Sequence, residues 1–253
     1  MKMGGNKNNM NKKKNSKKDV KELYLADNSS PFNYIEAYKT LRTNLEFIAS
    51  GSELKKITIT STIPNEQKTG VAINLSTSLA ASGKKVCIVD CDLRKPMHHK
   101  LLKLGKHKAG LSSVLSGKTE LSDVVCYAEK FNIYSVPCGP IPPNPSELLA
   151  SDRMKAVVEA LAKDFDYVIF DTPPASIVSD AHIIGRITDG VLFVVLQNGA
   201  DIGAVKRCKD DLVQNGIRIL GAILTGFEQK KSANYYNYYK DYSYSYGEHN
   251  EVG

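Results

Sequence analysis

The stretch that most limits how this chain can fold runs from Ile57 to Asp92, ITITSTIPNEQKTGVAINLSTSLAASGKKVCIVDCD. Its first residues, Ile57-Thr58-Ile59-Thr60, are β-branched without interruption and read as a buried strand. A loop of Pro64, Asn65, Glu66 and Gln67 follows, then Lys68-Thr69 and an amphipathic helical run from Val71 to Ala81. Gly83 supplies a helix stop, and Val86-Cys87-Ile88-Val89 is a second strand that ends on Asp90 and Asp92. A strand, a loop closing on Lys-Thr, a helix and an acid-tipped strand make a phosphate-binding βαβ unit. In such a unit the helix N-terminus carries partial positive charge and unpaired N–H groups. Lys68 reaches the distal phosphates, and the Thr69 hydroxyl ligates Mg²⁺. The formal spacing GxxxxGK[ST] is broken, because Gln67 stands where glycine precedes the lysine. Glycine suits that position because the loop takes angles that clash with a Cβ and must approach phosphate closely.

Downstream, apolar strands alternate with helices. Strands are expected at Asn132–Val136, Asp166–Asp171, Gly190–Leu196 and Ile217–Thr225, with a short helix between Gly110 and Gly117. A rigid loop, Gly139–Pro145, leads into Ser146–Leu149, and helices are expected from Asp152 as N-cap through Leu161 and over Ile202–Leu212. Continuous apolar strands of this kind predict an α/β fold with a mostly parallel sheet covered on both faces. Ligands of such sheets bind at the carboxyl ends of the strands. Lys68, Thr69, Asp90, Asp92 and Asp171 all fall there. Three strand-end acids beside a Lys-Thr loop suit Mg-nucleotide chemistry, in which positioning and charge neutralisation do most of the catalysis.

Upstream, Pro31 to Ala49 reads as a helix with one apolar stripe, Ile35, Tyr38, Leu41, Leu45 and Ile48. Glu36, Lys39 and Arg42 form a charged ridge beside it, either a solvated face or a subunit contact. The first 21 residues hold eight lysines and one aspartate, which accounts for the whole net charge of +7. The remaining body is formally neutral, which argues against nucleic acid as a partner. This basic arm, 1–22, reads as disordered, either solvated or resting on an anionic membrane surface. No apolar core follows its lysines, so it does not read as a secretory signal. The longest apolar run, Val191 to Leu196, is far too short to cross a bilayer. Five scattered cysteines, at 87, 91, 126, 138 and 208, read as reduced thiols. At the far end, Tyr235, Tyr236, Tyr238, Tyr239, Tyr242, Tyr244 and Tyr246 are 7 of the 13 tyrosines. Lys230–Tyr246 has no Leu, Ile, Val or Phe, so the segment is either low-complexity disorder or a set of tyrosines offered for modification.

Together these parts resemble the bacterial tyrosine kinases (BY-kinases) of the capsule and exopolysaccharide type, in their stand-alone cytoplasmic form. The resemblance rests on Glu36-Ala-Tyr-Lys-Thr-Leu-Arg42, the Pro64…Lys68-Thr69 loop and Val89-Asp-Cys-Asp-Leu-Arg-Lys-Pro96. It rests also on Gly139-Pro-Ile-Pro-Pro-Asn-Pro-Ser-Glu-Leu148, Asp166-Tyr-Val-Ile-Phe-Asp-Thr-Pro-Pro174 and the tyrosine cluster. The middle motifs also occur in partition and septum-site ATPases, but the tyrosine tail does not fit a partition-type switch. The resemblance implies a P-loop NTPase-like kinase that transfers the γ-phosphate of ATP to tyrosine. Residues 64–70 (Pro64, Asn65, Glu66, Gln67, Lys68, Thr69 and Gly70) would cradle the nucleotide. Thr69, Asp92 and Asp171 would support Mg²⁺, and Asp90 would be the base, with Asp92 and Lys68 completing the catalytic set. It also implies a ring of copies joined through Glu36, Lys39 and Arg42, and a tail phosphorylated on the seven tyrosines. The implied partners are a transmembrane polysaccharide co-polymerase adaptor, whose cytoplasmic end activates the kinase at the inner face of the plasma membrane, and a cognate tyrosine phosphatase. The expected organisation is an arm (1–22), an oligomerisation helix (23–50), a kinase domain (51–229) and an autophosphorylation tail (230–253).

Asn65 and Gln67 replace both glycines of the family loop, Gly70 replaces a hydroxyl residue, Lys39 replaces Arg, and Thr225 stands where the family offers Asn near the base. Loop strain of about 2 kcal/mol would weaken ATP affinity about thirtyfold without abolishing it. The alternative expectation is therefore a non-catalytic scaffold of the polysaccharide export machinery.

Overall fold

The computed structural model describes residues 25–26, 30–51, 53–105 and 108–227. The basic arm and the seven tail tyrosines lie outside these residues. Helix α1 (Phe32–Ala49) precedes β1 (Lys56–Ser61), α2 (Lys68–Ala80) and β2 (Val86–Asp90). Then come α3 (His98–Leu101), α4 (Leu111–Leu115), β3 (Cys126–Ala128), β4 (Ile133–Val136), α5 (Pro145–Leu149), α6 (Asp152–Asp164) and β5 (Tyr167–Asp171). The described chain closes with α7 (Asp180–Gly185), β6 (Gly190–Leu196), α8 (Ile202–Gln214) and β7 (Ile219–Thr225).

The seven strands form one sheet in the order β3-β4-β2-β5-β1-β6-β7, parallel except for the β3·β4 pair at one edge. Side chains alternate across a strand, so each buried strand feeds two cores. Ile57, Ile59, Val86, Ile88, Ile169, Leu192 and Val194 point to the face covered by α1 and α2. Cys87, Val89, Val168 and Phe170 point to the opposite face, beneath α4 and α6. Val191 and Phe193 meet α8 through Cys208 and Leu212. Both faces are thus covered, as the unbroken apolar strands require.

Register does the decisive positioning. Across β2 and β5, Asp90 is paired with Asp171, and Ile59 of β1 is paired with Asp171 from the other side. The loop leaving β1 therefore opens directly over two carboxylates that lie 81 positions apart in the chain.

Helix α1 lies on α2 by its predicted stripe, but only Leu45 is fully buried; Tyr38, Leu41 and Ile48 are half-covered. Polar stitches complete the contact. Asn74 Nδ2 donates to the Tyr34 and Tyr38 hydroxyls at 3.0 and 3.3 Å, and Arg42 Nη1 donates to the Ser78 carbonyl at 2.8 Å. All five cysteines are free thiols. Among the described residues no helix is long and apolar enough to cross a membrane.

Three details depart from the sequence expectations. Strand β3 and the one-turn helices α3 and α7 were not foreseen, because three to six residues are too few to show a period. Asp152 is not the cap of α6: Ser151 is, its hydroxyl accepting from the Met154 N–H at 3.3 Å, while Asp152 is the first helical residue. Two adjacent capping residue types cannot be ranked from sequence alone. Ser151→Ala is expected to lower stability by about 1 kcal/mol, and Asp152→Ala by less than half of that, in urea unfolding.

Candidate active site

The loop 62–67 leaves β1 with Asn65 at φ 68° and Gln67 at φ 67°, both left-handed. This is the backbone that glycine would normally supply. Asn adopts it readily, Gln at some cost. No side chain caps the N-terminus of α2. Its first N–H groups, from Lys68 onward, have no partner within the helix and face the loop's concave side.

Glu66 keeps the loop in place from below. Its side chain is buried, and its two oxygens accept from the N–H of Ile63 at 2.9 Å and of Leu196 at 3.2 Å. Its carbonyl accepts from the Thr225 hydroxyl at 3.0 Å. Of the predicted loop residues, Glu66 therefore turns inward and braces the ends of β6 and β7 through its carboxylate and carbonyl. Thr225, which stands where the family resemblance offers Asn, donates its hydroxyl to this loop.

The charged residues converge as their strand positions predict. Lys68 Nζ lies 3.4 Å from Asp92 Oδ2, 3.5 Å from Asp171 Oδ1 and 3.4 Å from the Thr69 hydroxyl. Burial opposes the ammonium charge, yet Asp171, Asp92 and Asp90 outweigh it and raise the Lys68 pKa. Asp90 is buried at the end of β2; its Oδ2 accepts from the N–H groups of Met97 and His98 at 3.2 and 3.1 Å, while its Oδ1 has no partner. Asp92 Oδ1 accepts from the Lys95 N–H at 2.9 Å.

The two register-paired acids are driven apart. Burial pushes the Asp90 carboxyl up, a shift that His98 opposes and Asp171 reinforces. Burial also works against ionisation of Asp171, but Lys68 and His98 prevail and hold it below the usual carboxylate range. A pair split in this way divides labour, one carboxyl suited to taking a proton and the other to holding a cation. Carboxylate and hydroxyl oxygens suit a hard ion such as Mg²⁺. The Lys68 ammonium lies between Asp92 and Asp171, where such a charge would be balanced.

Two groups escaped the sequence reading. His98, wholly buried, brings Nε2 to 3.2 Å from Asp171 Oδ2. Its position six residues beyond Asp92, in a turn of mixed polarity, gave no periodic signal. Arg94 Nε donates to buried Asp180 at 3.0 Å, and Arg94 Nη2 donates to Ser146 Oγ at 2.8 Å. Ser146 in turn donates to Asp180 at 2.6 Å, so the loops after β2, β4 and β5 are cross-braced. An Arg beside two acids in sequence was a visible hint, but its true partner lies 86 residues away. The ridge residues Glu36 and Lys39 pair with each other at 2.7 Å.

Glu66→Gln removes one of the two acceptors and turns an amide donor toward a backbone N–H. It is expected to lower stability by about 1–3 kcal/mol and to weaken ADP binding, read by urea unfolding and calorimetric titration.

Residues 54–198 match the family model described as an AAA domain. The chain is 38% identical over 200 residues to the tyrosine-protein kinase YwqD of Bacillus subtilis, covering 79% of this chain and 84% of that one. It is 35% identical over 189 residues to the tyrosine-protein kinase CpsD of Streptococcus agalactiae, covering 75% and 81%. The solved kinase domain of the Escherichia coli tyrosine kinase ETK superposes with a TM-score of 0.73 at 35% identity, over 78% of this chain and 79% of that one. With the strand-end acids, the Lys-Thr helix start and these relatives in agreement, the chain belongs to the bacterial tyrosine-protein kinase (BY-kinase) family.

Proposed function

We propose that this protein is an ATP-dependent protein-tyrosine kinase that phosphorylates the tyrosine-rich tail of its own kind. The observation that carries the reading is Asp90, one oxygen anchored by two backbone N–H groups and the other unpaired, next to the Lys68–Asp92–Asp171 cluster. ATP enters at the N-terminus of α2, its phosphates met by backbone N–H groups of the 64–70 loop and by Lys68, which leaves the two carboxylates to do so. Thr69, Asp92 and Asp171 are the residues that would hold Mg²⁺. When bound, that ion supplies neutralisation of the charge shared by the β- and γ-phosphates. The tyrosine hydroxyl gives its proton to Asp90 Oδ1 as its oxygen bonds to the γ-phosphorus. The bond from phosphorus to the bridging oxygen breaks, and ADP leaves with Lys68 balancing its new charge. A carboxyl raised by burial is the better base for a phenol near neutral pH.

Around this chemistry we place a ring of copies that meet through α1 and its Glu36, Lys39 and Arg42 ridge. The lone Glu36–Lys39 pair is solvent-facing and weak, so exchanging it for contacts across subunits costs little. Arg42 would contribute while still bound to Ser78. The arm 1–22, the helix-bearing segment 23–50, the kinase domain 51–229 and the tail 230–253 are then functional units. Tyr235, Tyr236, Tyr238, Tyr239, Tyr242, Tyr244 and Tyr246 are the acceptors. Each phosphate adds about −1.5 to −2 charge, and the repulsion opens the ring. The proposed setting is regulation of capsular or exopolysaccharide synthesis with a transmembrane adaptor at the inner face of the membrane, reversed by a tyrosine phosphatase.

The competing reading is a scaffold whose substituted loop rejects nucleotide. The left-handed backbone at residues 65 and 67 favours the kinase, because the loop has the shape that glycines would give it there. The protein, purified with its adaptor's cytoplasmic segment and given Mg-ATP, is expected to carry phosphate on Tyr235–Tyr246 by mass spectrometry. Lys68→Met should lower the rate by about 100-fold or more; equal silence in both proteins, with assembly intact, selects the scaffold. Gln67→Gly is expected to raise stability by up to about 1 kcal/mol and to raise ATP affinity by up to about thirtyfold, read by urea unfolding and calorimetric titration. Unchanged affinity would mean that the Gln67 side chain neither strains nor crowds the cradle.

A further inference from the structure

His98 makes two kinds of contact with the paired acids. Its backbone N–H donates to Asp90 Oδ2 at 3.1 Å, and its ring Nε2 lies 3.2 Å from Asp171 Oδ2. One ligand-type atom from each of Asp90, His98 and Asp171 falls within 4.8 Å of the others, and all three residues are buried. Asp171 meets the nucleotide side through its other oxygen, Oδ1, which faces Lys68 at 3.5 Å, and the Thr69 hydroxyl also bonds this carboxylate. Lys68 and Thr69 are the groups that turn to phosphate and cation when ATP binds. At that point the contact from Nε2 is what keeps the Asp171 carboxylate from rotating, since the terminal torsion of an aspartate is broad and easily turned.

We infer that His98 is a positioning residue: its ring holds Asp171 Oδ2 so that Oδ1 stays presented to the cation, while its backbone holds Asp90 with the opposite oxygen free. With the Met97 N–H as second donor to Asp90, His98 thereby bears on the rotation of both carboxylates. The arrangement follows the general pattern in which a group behind a metal-facing carboxylate decides how well it performs. This rests on the kinase reading above.

The test compares His98→Gln with His98→Met. The two side chains have similar length and volume, and only Gln carries an N–H donor. ADP affinity is measured by calorimetric titration with and without Mg²⁺, alongside kcat and KM for tail phosphorylation. In Met the Mg²⁺-dependent part of ADP affinity and kcat are expected to fall about 10–100-fold. Metal-free ADP affinity should stay within about twofold of wild type, because the helix N-terminus and Lys68 are untouched. Gln is expected to recover most of the loss. A histidine that merely fills space gives the reverse order, the buried amide of Gln being more damaging than the thioether of Met. Equal kinetics in the two variants, the reverse order, or failure of both to fold overturns the inference. The neighbouring His99→Asn, outside the cluster, should match wild type. Wild type that neither binds Mg-ADP nor phosphorylates its tail removes the kinase reading itself, and the inference falls with it.

Discussion

The site depends on one buried ammonium held among carboxylates. Lys68 is costly to bury as a charge, and it is stable there because Asp171, Asp92 and Asp90 surround it. Those acids in turn tolerate burial because the lysine, His98 and several backbone N–H groups answer them. Removing Lys68 alone would leave Asp92 and Asp171 facing each other without the cation between them. The sheet supplies the distances: parallel pairing of β2 with β5 sets Asp90 opposite Asp171, and β1 delivers the loop that ends in Lys68.

Asymmetry within this cluster gives the chemistry its direction. Asp90 is raised and Asp171 lowered although they are register partners, because Lys68 and the His98 ring lie against Asp171 while one oxygen of Asp90 meets only the protein backbone. The same environment that makes one acid a poor base makes the other a serviceable one.

Much of this was legible in the sequence. The β-branched run Ile57–Thr60, the Lys-Thr helix start and the apolar strands tipped by Asp90 and Asp171 are local signals, and strand ends gather at one rim in any parallel sheet. What could not be read were contacts that depend on tertiary approach. Glu66 looks like a loop residue open to ligand, yet its carboxylate is spent on the N–H of Leu196, 130 residues away. His98 shows no pattern in the chain; only the fold sets its ring against Asp171. The short edge strand β3 was missed because three residues carry too little periodicity, and the choice between Ser151 and Asp152 as cap turned on a rotation of one residue. The substituted loop was the other partial success. Its left-handed angles were inferred from the motif, and the backbone at residues 65 and 67 has them.

Thr225 closes β7, two residues before the described chain ends, and its hydroxyl bonds the Glu66 carbonyl beneath the phosphate-facing loop. The last strand and the nucleotide cradle thus share a fastening. On the proposed reading, a pull on the segment that bears the tyrosines, carried through β7, arrives first at the loop that would hold ATP, so the tether of the substrate would be mechanically part of the catalyst.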